Sequence, residues 1–241
     1  MRVPRIYTPQ PLEIGQALQM EDATAHYLLR VLRLGLDREL IVFNGAGGEY
    51  RARVTQVNKK QLEITPECFV AEDRESALIT ELAIGLSRGE RMDFIMQKAT
   101  ELGVTRILPL LTERTEVKLA GDRENKKLQH WRQISISAAE QCQRNRLPEI
   151  LPITPLSDYL ASCQCEARLV LHHRDTQGLP TAMHPASVAL LIGPEGGLSA
   201  LEIEAALTAG FTPLTLGPRV LRTETAPLAA LSVVQYLWGD W

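Results

Sequence analysis

The sequence predicts an α/β protein, with a small β-rich unit followed by a larger domain on a mainly parallel sheet. Three observations carry this. Residues 38–67 alternate apolar and polar side chains around two hairpin-type turns. Beyond the polar stretch at 71–76, apolar runs of strand length alternate with runs of helical character. Two of the later apolar runs end in glycine and proline turns that lead into helices. At 241 residues, 45% hydrophobic and 23% charged, the chain is long enough for one large domain or two smaller ones. The expected domains are 1–72 and 73–241.

In chain order, "ATAHYLLRVLRL" is expected as a helix whose leucines and Val31 form one buried stripe, with Arg30 and Arg33 on or beside it. "RELIVFNGAGGEYRARVTQVNKKQLEITPE" then holds three strands, separated by Asn44-Gly45 with its following glycines and by Asn58-Lys59-Lys60. In the second domain, strands are expected in "LITELAIGLS", "VTRILPLLT", "ARLVLHH", "VALLIGP" and "TPLTLGP". Helices are expected in "RMDFIMQKATELG", "NKKLQHWRQISISAAEQCQRN", "LSDYLASC", "ALEIEAALTAG" and "PLAALSVVQYLWG". Ser199 followed by Glu202 is a capping box, and Gly210 supplies the permissive conformation at the other end, which sets a helix over 200–209. Thr225 and Pro227 mark the start of the last helix.

Composition excludes several classes. No apolar run approaches the roughly 20 residues of a membrane span, and the opening "MRVPRIYTPQ" lacks a signal-type apolar block, so the expected compartment is the cytoplasm. Cys68, Cys142, Cys163 and Cys165 have no C-x-x-C pairing and read as reduced thiols, so no metal site is expected. The net charge of −3 speaks against a general nucleic-acid coat. Lys and Arg nevertheless outnumber Asp and Glu in 1–60 and in 114–146, a pattern that suits either ordinary solvated faces or a polyanion touched at restricted places.

The turn in "LLIGPEGGLSALEIEAA" sits at the carboxyl end of a strand, where open α/β sheets bind ligands. It lacks the lysine and hydroxyl of a phosphate loop and the G-x-G-x-x-G spacing of a dinucleotide fold, and it carries Glu195. A polyphosphate is therefore not the expected ligand. "TPLTLGPRVLRTETAPLAAL" repeats the strand, turn and helix arrangement, so two loops are available to form one pocket.

These two loops resemble the paired cofactor loops of the SPOUT methyltransferases. With "RIY", "HYLLRVLR", "QKATELGVTRILPLLTERT" and "AAEQCQRNRLPEI", nearly the whole chain is similar to the branch that methylates uridine N3 in bacterial 16S rRNA. His173 in "LHHR" departs from the expected pattern. The resemblance implies a PUA-like N-terminal β-barrel, a C-terminal α/β domain with a deep trefoil knot, a homodimer, S-adenosylmethionine as cofactor, and 16S rRNA in the small ribosomal subunit as partner. No membrane or DNA partner is expected. It further implies cofactor contacts by Leu171, His172, Ile192, Gly193, Gly196 and Gly197, and by Leu216, Gly217, Leu221, Arg222, Thr223, Thr225 and Ala226.

Methylating N3 requires collinear placement of nitrogen, methyl and sulfur, an acceptor for the imide proton, and a cation for the anion that develops. Arg222, Glu101 and Glu140 are the catalytic candidates, with Glu195 a further carboxylate in a family-like segment. RNA contact is assigned to Arg2, Arg5, Arg30 and Arg33, and to Arg88, Lys98, Arg114, Lys118, Arg144 and Arg146, because phosphate contacts position a nucleic acid. Lys98 with Glu101 and Glu140 with Arg144 also have the spacing of plain helical ion pairs. Methylation of a ribose 2′-hydroxyl, non-catalytic RNA binding and small-molecule α/β chemistry are the competing functions.

Overall fold

The computed structural model describes residues 3–117, 121–172 and 183–241. Arg2, Lys118 and His173 lie outside them. The chain forms two compact units, one of residues 1–75 with 139–147, the other of 76–138 with 148–241.

In the first unit, β1 (Arg5–Tyr7), β2 (Leu18–Gln19), β3 (Glu39–Phe43), β4 (Glu49–Val57) and β5 (Leu62–Val70) form a sheet in the order β1-β3-β4-β5-β2. Its pairings are antiparallel except for β1 with β3. The period-2 pattern places Leu40, Val42, Ala52, Val54, Leu62 and Ile64 in one core. The β3–β4 turn is set by the Asn44 side chain, which accepts from the Ala46 amide at 3.1 Å, and by positive φ at Gly45, Gly47 and Gly48.

The opening helix departs from expectation. Only α1 (Asp22–His26) is α-helical; Tyr27–Val31 widens into a π-helical turn, and Arg33 takes φ 53°. Widening changes the angular step per residue. Ala25 and Leu28 remain buried, whereas Val31 and Leu32, expected in the buried stripe, are 62% and 38% exposed.

The second unit carries β6 (Ile79–Gly85), α2 (Glu90–Glu101), β7 (Arg106–Leu111), α3 (Asp122–Cys142), β8 (Glu149–Ile150), β9 (Thr154–Pro155) and α4 (Leu156–Ser162). Then follow β10 (Ala167–Leu171), β11 (Ser187–Ile192), α5 (Ala200–Thr208), β12 (Thr212–Leu214) and α6 (Thr225–Trp238). The α3 helix ends where Gln143 takes φ 70°, and its last residues belong to the first unit.

The sheet order is β12-β10-β11-β6-β7-β8, with β9 also on β7, and every pairing is parallel. Apolar clusters cover both faces, which is why β6 and β11 read as nearly continuous apolar runs. The chain leaves β6 toward β7 and later returns to the other side of β6 with β11. The carboxyl ends of the strands are where open α/β sheets bind ligands.

Candidate active site

A cavity of about 260 Å³ opens at the carboxyl ends of β10, β11 and β12. Its floor comes from β10 and its continuation, Leu171 and His172; one wall is the turn after β11, the other the loop after β12. The His172 amide donates to the Leu214 carbonyl at 3.1 Å, and the Thr215 hydroxyl donates to the His172 carbonyl at 2.8 Å, so strand pairing continues into the rim.

The turn after β11 is locked from several sides. Ser199 Oγ accepts from the Glu202 amide at 3.3 Å, and Glu202 Oε2 accepts from the Ser199 amide at 2.8 Å, completing the capping box. Such a cap contributes about 1 kcal/mol. Glu202 Oε1 also accepts from the Glu113 amide at 2.8 Å, joining this turn to the segment after β7. Arg114 Nη1 donates to the Gly196 carbonyl at 2.8 Å.

Space explains two of the glycines. A Cβ on Gly193 would come within 2.6 Å of the Leu198 nitrogen, so only glycine lets the turn fold back on itself. Gly197 is different: its φ is +67°, and a Cβ there would meet no protein atom within 4 Å. Gly197 also lines the cavity.

Of the expected cofactor contacts, the cavity gathers Leu171, His172, Ile192, Gly193, Gly196 and Gly197 from the first set, and Leu216, Gly217, Leu221, Thr223 and Ala226 from the second. Arg222 lines an adjoining cavity instead, and Thr225 donates its amide to the Arg222 carbonyl at 2.9 Å as α6 begins. Pro194, Leu214, Thr215, Arg219 and Val220 also line the main cavity and were not expected there. They flank the named glycines, so the two loop motifs already pointed to their neighbourhood.

The lining suits a nucleoside-type cofactor. Leu171, Ile192, Leu216, Leu221 and Ala226 supply apolar surface, while the glycines expose main chain for polar contacts. Glu195 faces both cavities. Burial pushes its carboxyl up, but the Arg88 amide at 2.9 Å and Arg91 Nη1 at 3.0 Å outweigh this, and its pKa lies below the ordinary value.

Two catalytic candidates do not line this cavity. Glu101 is bound to Lys98 at 2.8 Å near the carboxyl end of α2, ten residues and about 15 Å along the axis from Arg91. Glu140 belongs to the first unit, where its carboxylate accepts from the Tyr7 amide at 2.9 Å. Burial raises its pKa against the opposing effects of Tyr7 and Arg5. It does not pair with Arg144, which instead meets Glu75.

Two expected RNA contacts are interior. The Arg5 side chain is 6% exposed, lies 3.9 Å over the Phe43 ring, and donates to Glu49 and to the carbonyls of Ala139 and Arg144. Arg144 is 5% exposed. Structural pairing, rather than phosphate contact, accounts for both. Arg30 and Arg33 are exposed in the first unit. Arg88 pairs with Glu116, Arg146 with Asp73 at 3.5 Å, and Lys98 with Glu101, while Arg114 is held at Gly196.

The expectation of no metal site meets one cluster. Among the described residues, Glu81, Cys163 and Cys165 bring ligating atoms within 4.8 Å of one another in the interior, apart from the cavity lining. Tyr159 donates to Glu81 at 3.0 Å.

A family model described as an RNA methyltransferase domain matches residues 74–235, and one described as an RNA methyltransferase PUA domain matches 21–67. The chain is 37% identical over 243 residues to the Ribosomal RNA small subunit methyltransferase E of Buchnera aphidicola subsp. Schizaphis graminum, covering 99% of this chain and 98% of that one. It is 30% identical over 239 residues to the protein of the same name from Bacillus subtilis, covering 95% and 93%. Among solved structures, it matches the Ribosomal RNA small subunit methyltransferase E of Neisseria gonorrhoeae bound to S-adenosyl methionine with a TM-score of 0.93, 39% identity and full coverage of both chains. A Legionella pneumophila methyltransferase in complex with SAM gives 0.96 and 41%, again with full coverage.

Proposed function

The chain belongs to the Ribosomal RNA small subunit methyltransferase E family, and we propose that it transfers the methyl group of S-adenosylmethionine to N3 of a uridine in 16S rRNA. The observation that carries this reading is the cavity built by the two glycine loops at the carboxyl ends of β10, β11 and β12. Similar chains of known structure hold S-adenosylmethionine.

S-adenosylmethionine supplies an electrophilic methyl group carried on a sulfonium. Leu171, Ile192, Leu216, Leu221 and Ala226 would hold its apolar surface, and Gly193, Gly196, Gly197 and Gly217 would let main chain approach it closely. Arg222 and Thr225 complete the proposed contact set from the start of α6. The protein's largest contribution is placement, since holding the reacting groups in line is worth up to about 7–11 kcal/mol. N3 lies on the Watson–Crick edge, so the target uridine must be unpaired or flipped out.

RNA is gripped in this reading by a PUA-like first domain, 1–72, through Arg30 and Arg33, and by the methyltransferase domain, 73–241, through Arg88, Lys98, Arg114 and Arg146. The crossing of the cofactor loops is proposed to form the family's deep trefoil knot. Among the described residues no helix is long and apolar enough to cross a membrane.

The active form is proposed to be a homodimer. Tyr236 in α6 and Trp241 after it are 72% and 59% exposed, aromatic surface suited to a partner. Sedimentation at micromolar concentration is expected to give a dimer; a monomer counts against it. The chemical assignment is tested by mass spectrometry of small-subunit rRNA from a strain lacking this protein. One N3-methyluridine is expected to disappear, and loss of a 2′-O-methyl group instead would replace the reading.

A further inference from the structure

We infer that the cavity beside the cofactor pocket receives the target uracil, and that Glu224 takes its N3 proton while Arg222 holds the resulting anion. This rests on the N3 reading above and names residues for it. The cavity measures about 310 Å³ and shares Glu195, Val220, Leu221 and Thr223 with the cofactor pocket. A planar base placed in it lies next to the group it must receive.

The walls hold two carboxylates, Glu195 and Glu224, and two guanidiniums, Arg91 and Arg222. Glu195 is committed: its Oε1 takes both the Arg88 amide and Arg91 Nη1. Glu224 accepts no hydrogen bond among the described residues: its backbone is already helical (φ −77°, ψ −24°), outside capping geometry, and its side chain makes no cap bond.

The hydrogen bonding of the helix begins at Arg222. Pro227, at the third helical position, has no N–H to offer, and the amides of Thr225 and Ala226 both donate to the Arg222 carbonyl at 2.9 Å. Glu224 lines the cavity, and no cap bond holds its carboxylate to the helix start. Its ion-pair neighbour is Arg91 Nε at 3.8 Å, and the side chain keeps 25% of its exposure. The exposed Arg222 guanidinium has no hydrogen-bond partner among the described residues.

The step balances. The N3–H proton passes to a Glu224 oxygen, the nitrogen lone pair forms the bond to the methyl carbon, and the carbon–sulfur bond breaks with its electron pair returning to sulfur. The products are N3-methyluridine, S-adenosylhomocysteine and a protonated Glu224, which returns its proton to water. Negative charge spreads onto the uracil carbonyl oxygens during transfer, and the Arg222 guanidinium stabilises it there.

The test uses the full chain, S-adenosylhomocysteine and a small-subunit rRNA fragment containing ¹⁵N3-labelled uridine. The native protein is expected to accelerate solvent exchange of one imino proton. Glu224→Gln is expected to slow that exchange at least about 10-fold, and single-turnover methylation about 100-fold or more, the usual worth of a general base. Calorimetric affinities for S-adenosylmethionine and RNA should be unchanged, and Glu224→Asp should recover part of both rates. If the native protein methylates N3 and Glu224→Gln matches it in both rates, the inference fails while the N3 reading stands. If the native protein methylates another atom and exchanges no imino proton, both fail.

Discussion

Gly197→Val is expected to abolish S-adenosylmethionine binding in a protein that remains folded. Gly197 lines the cavity, and a Cβ there meets no protein atom within 4 Å, so the valine methyl groups enter space proposed for the cofactor. Loss of at least about 100-fold in affinity corresponds to about 2.7 kcal/mol. The φ of +67° adds backbone strain of about 1–2 kcal/mol, which would confuse the result without a control. Gly210→Val provides it. Its φ is +84°, a Cβ lies 3.8 Å from Arg168 Nη1, and it is not part of the cavity lining. Calorimetry should show native affinity for Gly210→Val and none for Gly197→Val; equal affinities would remove Gly197 from the cofactor site.

Arg144→Ala is expected to destabilise the first unit by about 3–5 kcal/mol, the usual effect of removing one partner from a buried ion pair. Arg144 Nε donates to both Glu75 oxygens at 3.0 and 3.2 Å, and the two side chains are 6% and 17% exposed. Truncation leaves Glu75 partly buried without its cation. Such a loss is a large fraction of a domain's typical 5–15 kcal/mol. Arg144→Leu combined with Glu75→Leu should recover most of it, because no unpaired charge then remains. Urea unfolding followed by probes in each unit measures both effects. A change below about 1 kcal/mol for Arg144→Ala would mean that the pair is solvated, and would return Arg144 to the RNA contacts.

What the sequence revealed depended on distance along the chain. The Ser199–Glu202 capping box and the glycine turn at 193–197 are local devices, and their residue types declare them. The second contact of Glu202, with the Glu113 amide 89 residues away, has no local signature. Val31 illustrates a different failure. A 3.6-residue period places it with Leu28, but the π-helical turn shifts it to solvent.

Charge was the least legible property. Arg5 reads like Arg30 in the sequence, yet it is enclosed by Glu49, Phe43 and carbonyls from 139–145, partners assembled only by the fold. Glu101 and Glu140 lay in the right segments and face other partners. Glu224 stands beside Arg222 in the sequence, but only the fold sets it on one cavity wall with Arg91 and Glu195.

The most direct measurement incubates the purified protein with small-subunit particles and S-adenosylmethionine carrying an isotopically labelled methyl group, followed by nucleoside digestion and mass spectrometry. The expected result is label at one position, recovered as N3-methyluridine and absent when Gly197→Val replaces the native protein. Label recovered on a ribose or another base, or no label in a folded protein that binds S-adenosylmethionine, would contradict it.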